Sequence, residues 1–352
     1  MKINKIGKIE LTRKHPFLIA EAGVNHGGSL STAIEMVDAA AEAGADAIKF
    51  QSYKAETLAS RKSPAYWDQT KEPTTSQFEL FKKYDSFGDS EYRQLAKRCE
   101  EKGIIFISTP FDRHFVDFLD DLMPVYKVAS ADITNIPLLR QIAGKNKPIL
   151  LSTGASSLSE IDAALRNLSD AGNDQVALMH CILEYPCPPE HCYLESITAL
   201  VKSYPDRTIG WSDHTTPEFD CLSLLTAWMK GADILEKHYT LDKTLTGNDH
   251  YHAMNPDDIK AFCKRQEYMT RIIGDVHEKG ALPSEDDARK YARRSLVASC
   301  DLKAGTIITP EMVIPKRPGT GISPLYYDRI VGSRIEIDVK KDEILQWEMF
   351  QE

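Results

Sequence analysis

Short apolar runs return eight times between Phe17 and about Asp275, and an amphipathic stretch follows each one. The runs are Phe17–Ala20, Ala47–Gln51, Ile104–Ser108, Val125–Ala129, Pro148–Ser152, Val176–Cys181, Thr208–Trp211 and Ile234–His238. Runs this short, spaced by longer amphipathic segments, predict strands. Between the first two, Leu30, Ala33, Ile34, Val37, Ala40 and Ala41 line one face of a helix over Leu30–Ala43, and Gly44 stops it. Strands that alternate with helices form a parallel sheet through right-handed crossovers. Eight such units predict an α/β chain closed as a (β/α)8 TIM barrel, a fold that takes roughly 250 residues. A doubly wound open sheet is the other candidate. Against it, no GxGxxG follows the first strand, and polar residues crowd the ends of nearly every strand.

The barrel domain is expected to span residues 1–277. Within it, Tyr53–Asp89 is longer than a simple strand-to-helix loop and carries Trp67, Phe78 and Phe81. It reads as an insertion over the barrel mouth that could act as a lid. Residues 278–294 are charged, contain Pro283 and read as a linker. Residues 295–352 hold β-like runs at Leu296–Ala298, Ile307–Ile308 and Ile335–Val339, broken by Gly and Pro. That segment predicts a small β-rich domain. It is near the lower size limit for independent folding and should lean on the barrel or on another subunit.

Residues two apart in a strand share a face. Lys49 and Gln51 therefore point together from the second strand, and Glu236 and His238 from the eighth. Active sites of such barrels lie at the C-terminal strand ends. There the sequence sets Glu21, Asn25, His26, Lys49, Gln51, Thr109, Lys127, Ser130, Ser152, Thr153, Tyr185, Ser212, His214 and His238. A lone strand lysine is usually an edge or snorkelling residue. Two at inward-facing ends, ringed by hydroxyls, suit a substrate bearing phosphate or carboxylate. His214 and His238 end strands that adjoin in a barrel, with Glu236 and Asp249 near in sequence. Such imidazoles can hold a divalent cation, Mn²⁺ or Mg²⁺, in an open site. His250 and His252 fit either further ligands and substrate contacts or a polar, solvated loop.

The net charge of −9 argues against nucleic acid or an anionic membrane as partner. No apolar run is long enough to span a bilayer, and the N-terminus lacks the features of a signal peptide. Seven scattered cysteines without a CxxC pair suit reduced thiols and a cytoplasmic location. Cys181, Cys187 and Cys192 lie near His180 and His191, but at no common structural zinc spacing.

The segments AEAGVNHGG (20–28), IKFQ (48–51), STPFD (108–112), KVASADITN (127–135), STGAS (152–156), WSDHT (211–215), EKHYTLDKT (236–244) and GNDH (247–250) together resemble the sialic acid synthase family. RSLVASCDLKAGTIITPEMVIPKRPGTGI (294–322) resembles the antifreeze-like SAF module that ends members of that family. The resemblance implies condensation of phosphoenolpyruvate with an N-acyl hexosamine to a nine-carbon 3-deoxy-2-ulosonic acid and phosphate. It implies metal ligation by His214 and His238, and phosphoenolpyruvate contacts from Lys49, Thr109, Lys127, Ser130, Ser152 and Ser212. Sugar contacts are implied for Glu21, Gln51, Tyr185 and Asp249. Arg317 in KRPGTG resembles the arginine that the module presents to a neighbouring subunit's site in a domain-swapped homodimer.

Two departures fall where the sugar should bind. Leu183 in HCILEYP stands where several members carry Asn or Ser, and GNDH continues as YHAMN rather than Ser-Leu-Glu-Pro. They leave open N-acetylmannosamine or a diacetamido sugar leading to a legionaminic-type acid. Two rival readings remain. A synthase acting on an aldose phosphate would need a second basic subsite, and no clear Arg/Lys cluster supplies one. A catalytically inactive carbohydrate-binding relative would need a broken set, yet Glu21, Lys49, Lys127, His214 and His238 are all present.

Overall fold

Each apolar run forms a strand: β1 (Phe17–Gly23), β2 (Ala47–Ser52), β3 (Ile105–Pro110), β4 (Tyr126–Val128), β5 (Ile149–Ser152), β6 (Val176–Cys181), β7 (Ile209–Asp213) and β8 (Ile234–His238). They come from a computed structural model that describes residues 2–350 except 68, 71, 219, 220, 248, 276 and 277. Parallel pairing runs from β4 through β5, β6, β7, β8, β1 and β2 to β3, and β3 and β4 meet across the remaining seam. The result is the expected TIM barrel. Its helices are α1 (Leu30–Ala43), α2 (Asp89–Lys102), α3 (Arg113–Phe118), α4 (Ile136–Ala143), α5 (Leu158–Asp170), α6 (Glu195–Ser203), α7 (Leu222–Lys230) and α8 (Pro256–Ile273). The chain divides into two compact units, Met1–Gly274 and Asp275–Glu352.

Strand alternation sorts the barrel core into two layers. Phe17, Ile19, Ala47, Ile105, Ile107, Val125, Leu150, Ala177, Met179 and Ile234 pack together inside. Their neighbours Leu18, Ala20, Ile48, Phe106, Tyr126, Leu151, Leu178, Trp211 and Leu235 join the layer beneath the helices. The N-terminal hairpin (Lys5–Ile6 with Ile9–Glu10) adds Ile3 and Ile6 to the inner layer, held by an Ile3 amide bond to Thr208 Oγ1 at 3.0 Å. Gly210 is dictated by crowding here, since a Cβ would lie 2.3 Å from Met179 Sδ and 2.7 Å from the Ile234 carbonyl.

α1 shows how the helices are delimited. Ser29 Oγ accepts from the Thr32 amide, and Gly44 takes a left-handed φ of 100° to end the helix. Its buried residues are Ala33, Met36, Val37, Ala40 and Ala43, with Leu30, Ile34 and Ala41 only partly buried. The covered arc is wider than the stripe read from sequence because α2 and α8 flank the helix as well as the barrel wall. Burying Val37 or Met36 contributes roughly 1.5–3 kcal/mol each.

In the second unit, β9 (Ser295–Ala298) pairs antiparallel with β10 (Val313–Lys316). Leu296, Leu302, Ile308, Ile322, Ile335 and Leu345 form its core. The other two β-like runs make only isolated bridges, Ile307 to Arg334, Ile335 to Phe350 and Val339 to Leu302. The segment 278–294, expected as a linker, contains a turn at Pro283–Glu285 and a helix at Asp286–Ala292. The Gly319 amide donates to the Lys290 carbonyl at 2.8 Å, so this helix is bonded to the small domain's own backbone. Among the described residues, no helix is long and apolar enough to cross a membrane.

Candidate active site at the barrel mouth

The parity that sets apolar residues inside the lower barrel sets polar ones inside its C-terminal end. Continuing each inner row upward gives Glu21 above Ile19, Lys49 and Gln51 above Ala47, and Thr109 above Ile107. It likewise gives Lys127 above Val125, Ser152 above Leu150, and Glu236 and His238 above Ile234. Register brings them level, since Glu21 pairs with Lys49 on one side and His238 on the other.

Lys49 Nζ touches Glu21 Oε2, donates to Thr109 Oγ1 at 3.0 Å and lies 3.9 Å from Glu236 Oε2. Lys127 Nζ lies 3.1 Å from Glu236 Oε1, which also accepts from Ser212 Oγ at 2.9 Å. Gln51 Nε2 donates to Glu21 Oε1 at 3.0 Å. All four charged groups are nearly fully buried. Burial works to raise the Glu236 carboxyl, but Lys127 and Lys49 outweigh it and hold the group down to about 2. Burial raises Glu21, and Lys49 opposes that only in part. Burial lowers Lys49, yet Glu21 and Glu236 outweigh it and keep the ammonium charged. The mouth therefore holds an ionised Glu236 bridging two lysines, beside a second carboxyl shifted toward its neutral form. Glu236 was visible as His238's facing neighbour but was not among the expected site residues.

Ser130 Oγ accepts from the Gly154 amide at 2.9 Å, whereas Ser152 Oγ is buried without a hydrogen-bond partner. Asn25 ties the loop after β1 to the chain beyond β8, donating to the Tyr239 carbonyl at 2.9 Å. His26 stacks on Phe87 with centroids 4.1 Å apart, and burial pushes it down to about 4. Arg317 is exposed after β10 in the second unit.

The histidines form a row. The His214 and His238 rings stand 5.3 Å apart, and His238 and His252 5.0 Å apart. Tyr185 packs at 4.1 Å from His214 and 5.9 Å from His238. His214 Nδ1 is bonded to the Ile182 carbonyl at 2.6 Å, which leaves Nε2 as its available nitrogen. Burial lowers His214, but the Cys181 sulfur and that carbonyl outweigh it and raise the group. Burial and His214 hold His238 well below its usual value, and burial and His238 bring His252 down to about 3. Both are neutral near pH 7, the form that binds metal. Asp242 and residues 244–246 in the loop after β8 are exposed, but its two histidines are not. His250 is buried and bonded to Thr240 Oγ1 at 2.8 Å, and His252 is fully buried. Asn248 of the GNDH segment lies outside the described residues.

The described residues of the insertion after β2 make contacts of their own. Lys54 Nζ donates to the Asp85 and Phe87 carbonyls, and Tyr53 meets Phe81 edge-on at 5.3 Å. Trp67 Nε1 donates to the Glu72 carbonyl at 3.0 Å, and Phe78 lies under Arg61 at 5.2 Å.

A NeuB family model matches residues 36–278, and a SAF domain model matches residues 293–351. The chain belongs to the NeuB family. Among NeuB relatives, N,N'-diacetyllegionaminic acid synthase of Campylobacter jejuni is 36% identical over 95% of this chain and 99% of its own. Human N-acetylneuraminate-9-phosphate synthase is 32% identical over 96% and 93%. The crystal structure of N-acetylneuraminic acid (sialic acid) synthetase from Leptospira borgpetersenii serovar Hardjo-bovis, in complex with citrate, aligns with a TM-score of 0.70 at 33% identity. It covers 82% of this chain and 96% of that one. Barrel and SAF domain are thus both features of the family.

Proposed function

We propose that this NeuB family chain condenses phosphoenolpyruvate with the open-chain aldehyde of an N-acyl hexosamine, N-acetylmannosamine or a diacetamido-dideoxyhexose, giving a nine-carbon 3-deoxy-2-ulosonic acid and phosphate. The carrying observation is the buried Lys49–Glu236–Lys127 bridge at the strand ends, ringed by Thr109, Ser152 and Ser212. Two buried ammonium groups beside hydroxyl donors fit a small, multiply charged anion. The names of the relatives, sialic- and legionaminic-type synthases, support the same reaction.

In this reading C3 of phosphoenolpyruvate bonds to the aldehyde carbon, whose carbonyl π pair moves to oxygen and takes up a proton, and positive charge is left at C2. Water adds there and loses a proton, and the resulting intermediate expels phosphate by C–O cleavage. Lys49 and Lys127 offset the charge of the phosphate and carboxylate. Thr109, Ser130, Ser152 and Ser212 donate to their oxygens. Glu21, beside Lys49, either steers the water or offsets the charge at C2. Gln51, Tyr185, Asn25 and Asp249 contact the sugar. His214 and His238 would hold a divalent cation, Mn²⁺ or Mg²⁺, and the depressed, neutral state of buried His238 fits that use. When bound, such an ion supplies Lewis acidity toward the aldehyde oxygen. Leu183, 39% exposed and packed near Gly154, adds an apolar edge, and the legionaminic acid synthases among the relatives put the diacetamido sugar first. Arg317 completes the site from the partner chain of a homodimer in the cytoplasm.

The test is phosphate release from phosphoenolpyruvate with a panel of N-acyl hexosamines, with and without EDTA. Turnover with one sugar, abolished by EDTA and restored by Mn²⁺ or Mg²⁺, is expected. No phosphate with any sugar, from folded and metal-supplied protein, would refute the function. Full turnover in metal-free protein would refute the metal.

A further inference from the structure

We propose that His252 and Asp249 join His238 as direct ligands of a divalent cation, adding an imidazole and a carboxylate to the His214–His238 pair. The proposal stands on the side chains themselves. It rests on the synthase reading only for what the ion does in turnover.

Two independent observations carry it. First, His238, Asp249 and His252 each offer a donor atom, and these atoms all lie within 4.8 Å of one another. His238 Nδ1 is 3.7 Å from Asp249 Oδ2, and His252 Nε2 is 4.0 Å from Asp249 Oδ1. Donors around an ion with bonds of about 2.1 Å stand roughly 3.0–3.5 Å apart. The two carboxylate–imidazole pairs need closure of no more than about an ångström, and a pair at the 4.8 Å limit about 1.3 Å or more, to reach ligand spacing. Second, His252 is fully buried, and neither ring nitrogen has a hydrogen-bond partner. A buried imidazole left unpaired is costly, and a polar group in that state calls for a missing partner. The backbone fixes the arrangement. The Met254 amide donates to the His238 carbonyl at 2.8 Å and the Thr240 amide to the Met254 carbonyl at 2.9 Å, which lays the loop along the end of β8. His250 is engaged by Thr240, so of the two loop histidines it is His252 that is left to ligate.

A site richer in imidazole favours Co²⁺, Zn²⁺ or Fe²⁺ over Mg²⁺. The probe is Co²⁺ titrated into metal-free full-length protein without substrate, followed by its visible absorption, with circular dichroism to confirm folding. Replacing a direct ligand should exceed the 10- to 100-fold effects typical of outer-shell partners. Both His252→Asn and His252→Leu are expected to weaken Co²⁺ binding by more than about 100-fold, and His250→Asn to leave it unchanged. If His252→Leu does not fold, the polar His252→Asn decides. A loss below about 100-fold in folded His252→Asn overturns the proposal and assigns His252 a packing or outer-shell role. If Co²⁺ binding behaves as expected but no sugar releases phosphate, the synthase reading fails and the site stands. Turnover with unchanged Co²⁺ binding in His252→Asn means the reverse.

Discussion

Glu236 and Lys237 are neighbours in β8, both buried, yet the two faces of the strand treat their charges differently. In the Lys237–Asp213 cluster on the outer face the charged groups are answered. Lys237 Nζ lies 3.0 Å from Asp213 and donates to Thr215 O at 2.6 Å and Oγ1 at 3.1 Å. Asp213 also accepts from Ser223 Oγ at 2.5 Å and the Thr215 amide at 2.8 Å. On the inner face, Glu236 Oε2, Ser152 Oγ and both nitrogens of His252 have no hydrogen-bond partner. The outer cluster is closed, as a structural element must be. The inner one keeps donors and acceptors for something that arrives.

Breaking the outer pair should cost most. Lys237→Met leaves the Asp213 carboxylate buried beside no cation, so unfolding in urea should show a loss of about 3–5 kcal/mol. A change below about 1 kcal/mol would erase the contrast between the faces. Inside, Lys49→Met or Lys127→Met still leaves Glu236 one lysine, so the folding loss should be smaller than for Lys237→Met and the main effect should fall on phosphoenolpyruvate. Loss of a charge-assisted contact should cost about 2–3 kcal/mol, roughly 30- to 150-fold in kcat/KM for that substrate and far less in sugar KM. Unchanged kinetics in both variants would make the lysines structural, like Lys237.

His26 sharpens the comparison, being buried at the mouth yet stacked rather than bridged. Its folded-state value of about 4 lies below the ordinary 6.5, so the unfolded chain takes up the proton first. That contribution to stability is complete above pH 6.5 and is lost as pH falls toward 4. Between pH 7.5 and 5, the wild type should lose about 2 kcal/mol more than His26→Asn in denaturant unfolding. Parallel losses would show that burial does not perturb this ring.

The smallest effect concerns whether one chain completes the inner face. Arg317→Ala should raise the sugar KM about tenfold, some 1.4 kcal/mol, with the barrel intact. If Arg317 acts across a dimer, exchanging Arg317→Ala chains with Lys49→Met chains should restore activity in one site of each heterodimer. Complete exchange without recovery would assign Arg317 to its own chain.

The barrel was legible because apolar runs mark all eight strands and one parity carries both the inner apolar row and the polar row above it. Lys49, Gln51, Thr109, Lys127, Ser212 and His238 were readable for that reason. The Glu236 bridge was not, because its lysines come from β2 and β4 and meet it only when the barrel curls round. The burial of His252 was not legible either, because it depends on the Met254 backbone bonds to β8, which no local sequence pattern announces. The helix at Asp286–Ala292 escaped because it buries no side chain, so hydrophobic periodicity gave it no signature.

The Glu-Lys-His order of β8 also guards against misassembly. A slip of one residue would turn Lys237 into the lumen with Lys49 and Lys127, and would set Glu236 or His238 against Asp213 outside. Three crowded cations within and an unanswered carboxylate without would penalise that pairing far more than a strand of plain valines could, since each side chain changes face at once. The charges that ready the mouth for an anion thereby also proofread how the barrel zips shut.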